Sequence, residues 1–126
     1  MSHTIKISSG SVQLEAALND SPTAITIWNK LPMEGRASLW GDEIYFPIPV
    51  NIGVEEDALA EMNVGDIAFW PPGSAFCIFF GRTPASKGSA PVAASEVNAV
   101  GHIIGDLSSL RSVRAGQTVR LERSDS

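Results

Sequence analysis

Apolar and polar positions alternate near the start of the chain. Ile5 and Ile7 alternate with polar residues until Ser8-Ser9-Gly10 breaks the run, and Val12, Leu14, Ala16 and Leu18 then alternate with Gln13 and Glu15. A period of two marks a strand with one buried face, so residues 1–18 predict a β-hairpin. Asn19-Asp20-Ser21-Pro22 follows, with Ser21 placed as a helix N-cap and Pro22 at the first helical position. Ala24, Ile27, Trp28 and Leu31 then recur at helical spacing. The β-branched Thr23, Ile25, Thr26 and Ile27 weaken that helix, and Pro32 to Gly35 stops it.

Arg36 to Trp40 and Glu43 to Phe46 read as two strands around a Gly41-Asp42 turn. Pro47 and Pro49 cannot donate to a ladder, so the segment after Phe46 is an edge, a bulge or an extended connection. Glu55, Glu56, Asp57 and Glu61, with Ala58, Leu59, Ala60 and Met62 between them, suggest a short helical turn solvated on one side. Asn63 to Asp66 is a turn and Ile67 to Trp70 the strand leaving it. Pro71-Pro72-Gly73 interrupts, with a cis bond plausible at either proline, and Ala75 to Phe80 is a short apolar run typical of a buried strand. Residues 81–95 are rich in Gly, Pro, Ser and Ala and form the one long loop. Val97 to Ile104 is a strand, Leu107 to Val113 one helical turn, and Val119 with Leu121 a closing strand.

Many short strands with a single convincing helix argue a small barrel or sandwich. Strands at both termini favour the barrel, because closure pairs edges that would otherwise be exposed. With 126 residues the chain is one domain, residues 1–126, large enough for a core of its own.

Composition narrows the function. The net charge is −5 and no stretch clusters Lys or Arg, which argues against nucleic acid as a partner, since phosphate binding needs a basic footprint. Cys77 is the single cysteine, so no internal disulfide forms. No signal peptide and no apolar run near the ~20 residues of a membrane span is visible, so a cytoplasmic protein that avoids the membrane is the expectation. Charged residues make up only 18% of the chain, which leaves surface for an apolar cleft.

The chemistry-bearing residues are few. His3 and His102 lie at opposite ends of the chain without nearby ligand partners. They read as a loose terminal residue and an ordinary sheet histidine, so no metal is expected. No phosphate loop or dinucleotide fingerprint occurs, and no cofactor is expected. Pro-Pro-Gly-Ser-Ala around Ser74 is not a nucleophile elbow, and Cys77 within an apolar run reads as an inert buried thiol. The hairpin around Gly41 is more informative. If Ile44 and Phe46 face the interior, Glu43 and Tyr45 stand together on the outer wall. A carboxylate beside a phenol, flanked by Trp40, suits binding of a polar group or proton transfer. Trp70-Pro71-Pro72-Gly73 makes a rigid aromatic corner. The expected site is a ligand-binding cleft on the outer wall lined by Trp40, Glu43, Tyr45, Trp70 and Phe79.

These segments also carry a resemblance. Trp40-Gly41-Asp42-Glu43-Ile44-Tyr45-Phe46, Pro49-Val50-Asn51, Gly65 through Gly73, Phe79-Phe80-Gly81-Arg82-Thr83-Pro84 and Val97 through Gly101 resemble the cyclophilin-like family typified by small bacterial and archaeal proteins of unknown function. The resemblance covers nearly the whole chain. It implies a closed eight-stranded β-barrel with one or two short helices at its ends, the fold of peptidyl-prolyl isomerases. It does not carry the isomerase residues across. True cyclophilins follow a strand arginine with Phe and Gln at fixed offsets, and counted from Arg36 these fall on Gly41 and Ile44. Their Gly-Ser-Gln-Phe-Phe run is similar to Gly73-Ser74-Ala75-Phe76-Cys77, with the Gln and second Phe replaced. The expected function is therefore binding of a small molecule or peptide segment, with an isomerase of altered site as the alternative and a Glu43–Tyr45 acid-base enzyme as a third class. A homodimer through an apolar edge near Ile48 and Val50, or through the loop from Gly81 to Glu96, is left open.

Overall fold

The N-terminal alternation becomes two paired strands, β1 (His3–Ser9) and β2 (Val12–Leu18), with Ile5 opposite Ala16 and Ile7 opposite Leu14. A computed structural model describes residues 3–124, so the first two residues of the expected hairpin lie outside the described part. Helix α1 (Pro22–Lys30) starts as its sequence requires: Pro22 occupies the first turn and the Ser21 hydroxyl accepts the Ala24 N–H at 3.2 Å. The chain leaves α1 through a cis Leu31–Pro32 bond. This is the one cis bond among the described residues; Pro71 and Pro72, where one was expected, instead form a 3₁₀ turn, Pro71–Gly73.

Eight further strands follow: β3 (Met33–Arg36), β4 (Ser38–Leu39), β5 (Glu43–Pro47), β6 (Leu59–Glu61), β7 (Asp66–Trp70), β8 (Ala75–Phe79), β9 (Val92–Ile104) and β10 (Thr118–Arg123). All pairings are antiparallel, in the order β3-β10-β1-β2-β9-β7-β8-β5-β4, with β6 attached to β9. The fold is mostly β, but it departs from a closed eight-stranded barrel. Ten strands are present among the described residues, and the ladder begins at β3 and ends at β4 without a hydrogen-bonded pair between them. Those two edges are consecutive in the chain. Only Ala37 separates them, and its N–H and C=O are both taken by the turn before β10, through Gln117 (2.8 Å) and Gly116 (2.7 Å). One segment therefore pairs with β10 first and with β5 next.

Two apolar clusters result. Ile44, Phe46, Ile67, Phe69, Phe76 and Ile78 point inward and pack with Ile5, Ile7, Leu18, Ile27 and Leu121 in the main core. Full burial of each such side chain is worth about 1.5–3 kcal/mol. The opposite face of β5, β8 and β7 is covered as well. Ala68, Ala75, Cys77 and Phe79 pack there against Met62 and against Ala93 and Val97 of β9, with Tyr45 and Trp70 at the margin. This second layer explains two departures from the sequence pattern. The stretch expected to be a helical turn contains β6, and the expected long loop ends where β9 starts, at Val92. Leu107–Val113 holds the expected turn as a 3₁₀ segment, Ser108–Ser112.

Ile48 and Val50, expected at an apolar edge, are instead buried in the main core. His3 is no loose end. It belongs to β1, and its ring stacks on Trp28 at 4.0 Å, while the Arg123 guanidinium lies 4.4 Å over the same indole. The loop before β6 is fixed by a buried polar knot. The Asn98 amide accepts the Glu55 N–H (2.8 Å) and donates to Thr23 Oγ1 (3.1 Å) and the Gly53 carbonyl (3.0 Å). The Glu55 carboxylate in turn accepts the Thr23 hydroxyl and the Thr23 N–H at the start of α1.

Candidate functional site

Between the outer face of β5 and β7 and the first half of β9 lies a cleft of about 220 Å³, lined by Trp40, Glu43, Tyr45, Trp70, Ala93, Ala94 and Val97. Its geometry starts in the tight hairpin at Gly41. Trp40 and Glu43 exchange backbone hydrogen bonds of 3.0 and 3.3 Å, so they are directly opposed and their side chains leave the same face. Gly41 takes φ +63°, and a Cβ there would stand 2.8 Å from the Arg82 carbonyl oxygen, so the turn accepts only glycine without strain. The hairpin tip is held from outside, where Arg111 forks onto the two Asp42 oxygens at 3.2 Å each.

Along β5, Tyr45 shares the face of Glu43. It is opposite Cys77 on β8, and Glu43 is opposite Phe79. Trp70 ends β7 opposite Ala75, and its indole N–H donates to Ser95 Oγ at 2.7 Å. That bond ties the far corner of the cleft to β9, which supplies Ala93, Ala94 and Val97 as the third wall. Small residues on this wall leave room that larger ones would fill.

Glu43 is not the surface carboxylate its residue type suggests. Only 6% of it is exposed, because β9 covers the face on which it stands. None of the four ion pairs among the described residues includes it. Burial pushes its pKa up to about 7, and the neighbouring Cys77 side chain acts in the opposite sense. The thiol's own hydrogen bond runs to the Ala75 carbonyl, Sγ···O 3.8 Å, which leaves the carboxyl little of it. Burial, with the charge of Glu43 adding to it, holds Cys77 well above the ordinary thiol value, so it stays a thiol.

The structure thus brings Trp40, Glu43, Tyr45 and Trp70 together around one cleft. Phe79 stands apart from them: it is fully buried beneath the cleft and lines none of it. Ala93, Ala94, Val97 and Ser95 complete the site, and no reading of the sequence placed them there; the only signal was Val97, the first residue of an expected strand and of one segment that carries the resemblance. His102 is exposed on β9, and Ser74 adopts a left-handed φ of 47° after the Pro71–Gly73 turn. Arg36 is exposed on β3 and does not line the cleft. No helix among the described residues is long and apolar enough to cross a membrane.

Strand order, a two-sided sheet and the covered outer face define a small antiparallel β domain with an aromatic-walled cleft. Residues 3–122 match the cyclophilin-like family. The hypothetical protein AF2241 from Archaeoglobus fulgidus is 35% identical, with a TM-score of 0.83 over 98% of this chain and 95% of that one. The chain belongs to the cyclophilin-like family. The structure of McbB in complex with tryptophan is also similar, at 12% identity and a TM-score of 0.64 over 97% of this chain and 45% of McbB. That second likeness concerns the fold. No curated protein matches the chain.

Proposed function

We propose that the cleft binds a small molecule, or one side chain of a peptide segment, seated between Trp40 and Trp70 with a polar group on Glu43. The observation that carries this reading is a buried carboxyl, outside every ion pair among the described residues, opening into a cleft lined by three aromatic side chains. Taking a carboxyl out of water without a counter-charge costs stability, and such groups concentrate at functional sites. A volume of about 220 Å³ lies below the ~300 Å³ of the smallest drug-sized pockets, which suits a single ring or a short branched group. The scaffold under the cleft acts as a barrel closed through the chain at Ala37, which keeps the β5 wall fixed.

The isomerase alternative has less behind it. Arg36 lies outside the cleft, Gly41 is spent on a turn, and Ile44 is 1% exposed in the main core. A thermal-shift screen of small molecules and proline-containing peptides tests the binding reading. A ligand at a hundredfold excess over its Kd stabilises by about 2.7 kcal/mol, a rise of several degrees. Hits are expected with the wild type and lost in Trp40→Ala. Silence across both sets, or hits that persist in Trp40→Ala, would overturn it.

A further inference from the structure

The binding reading leaves open the chemistry of the occupant, and the walls of the cleft bear on it. Trp40, Tyr45 and Trp70 offer three electron-rich rings, and among the described residues Glu43 is the one acidic side chain and no Lys, Arg or His lines the cleft. Aromatic faces carry negative quadrupoles that attract cations, and the attraction grows where water is excluded. A carboxylate behind the rings adds a full opposite charge. The remaining lining, Ala93, Ala94 and Val97, suits alkyl groups. Resting on the binding reading above, we propose that the cleft takes a small alkylated ammonium group, either free or at the end of a methylated lysine side chain.

Glu43 is free to serve as the counter-charge. Tyr45 on its own strand and Cys77 on β8 are the titratable groups on its face, and neither is cationic. Asp42 beside it is already forked by Arg111. The hairpin turn after β4 contributes only Trp40, β7 only Trp70, and β9 only apolar side chains to the lining. Because Glu43 ionises near pH 7, a cation that needs its charge binds about tenfold more weakly at pH 6 than at pH 8. A neutral acceptor group that takes a hydrogen bond from the protonated carboxyl shows the opposite slope. The sign of the pH dependence therefore separates the two chemistries.

The test uses the indole N–H signals of the whole protein in a ¹H–¹⁵N spectrum. Choline, a short peptide bearing trimethyllysine, and 3,3-dimethylbutanol (the uncharged isostere of choline) are titrated separately at pH 6 and pH 8. Trp28, held between His3 and Arg123 outside the cleft, serves as the internal reference for folding. The expected result is that choline or the peptide shifts Trp40 and Trp70, roughly tenfold more tightly than the isostere at pH 8, with the difference shrinking at pH 6. Comparing the choline and peptide arms distinguishes a free ligand from a modified side chain. In Glu43→Gln the pH dependence disappears and the preference for the cation collapses; Trp40→Leu provides a second variant that weakens binding of the cation. An isostere that binds as tightly as choline, or cation binding that strengthens toward pH 6, overturns the cation while the cleft stands. If no compound moves Trp40 or Trp70 while the screen above yields cleft hits, the cation alone falls; if the screen is silent too, the cleft falls with it.

Discussion

Replacing Glu43 by Gln isolates the energetic consequence of burying its carboxyl. The folded protein holds this proton more tightly than the unfolded chain does, with a pKa of about 7 against an ordinary 4.5. Stability is therefore fully present below about pH 4.5, is lost as pH rises through the folded value near 7, and changes no further above it. The corresponding free energy is about 3 kcal/mol, an upper bound because the cleft opens to water on one side. Gln has nearly the same shape and cannot ionise. Wild type and Glu43→Gln are thus expected to be about equally stable at pH 4, whereas at pH 8 the variant is the more stable by roughly 1.5–3 kcal/mol. Urea denaturation of both proteins at the two pH values measures this, with equal m-values as the check that the unfolded states compare. Every other acidic group contributes alike to both proteins and cancels in the difference. A gap that is the same at pH 4 and pH 8, or a variant less stable at pH 8, would refute the reasoning.

Other perturbations reach the structure at separate points. Asn98→Ala removes an amide that makes three hydrogen bonds within the knot joining β9, α1 and the loop before β6. A loss of about 2–3 kcal/mol is expected, with faster amide exchange over residues 53–57 as the readout. Gly101→Ala drives a Cβ into the Ala17 carbonyl oxygen of the neighbouring β2. The two strands must separate, so a cost above ~3 kcal/mol or an insoluble product is expected, read by circular dichroism and melting. Ser95→Ala takes the acceptor from the Trp70 indole. A cost of about 1 kcal/mol and quicker exchange of that indole proton are expected, with the fold unchanged.

Local physics was enough to read much of this architecture in advance. The hairpin of β1 and β2 follows from strict alternation, α1 from Ser21 and Pro22 at its start, and the Gly41 turn from the need for positive φ. The inward Ile44 and Phe46 of β5 follow from the same alternation, whereas β7 and β8 read only as apolar strands because both of their faces are covered. What escaped was set by contacts far apart in sequence. Ala93, Ala94 and Ser95 have little strand propensity of their own, and they are strand because β9 runs on past β7 to pair with β6. That extension is what buries Glu43, a residue type normally exposed. The cleft was therefore legible in its aromatic members, which sit on regular strands or at their hairpin. Its closed side and its electrostatics were not. Phe79, expected in the cleft, does share the outward face with Glu43, but the second apolar layer covers it completely. The sheet edges at β3 and β4 were unreadable for a similar reason: a two-residue strand has too few positions to show a period.

The most direct measurement is a crystal structure of the protein grown with the strongest ligand from the screen. Density is expected between Trp40 and Trp70, with a polar atom of the ligand within hydrogen-bond reach of the Glu43 carboxyl and Ser95 still bonded to Trp70. Ligand density elsewhere on the surface, with the cleft holding only water, would contradict the assignment of this cleft as the functional site.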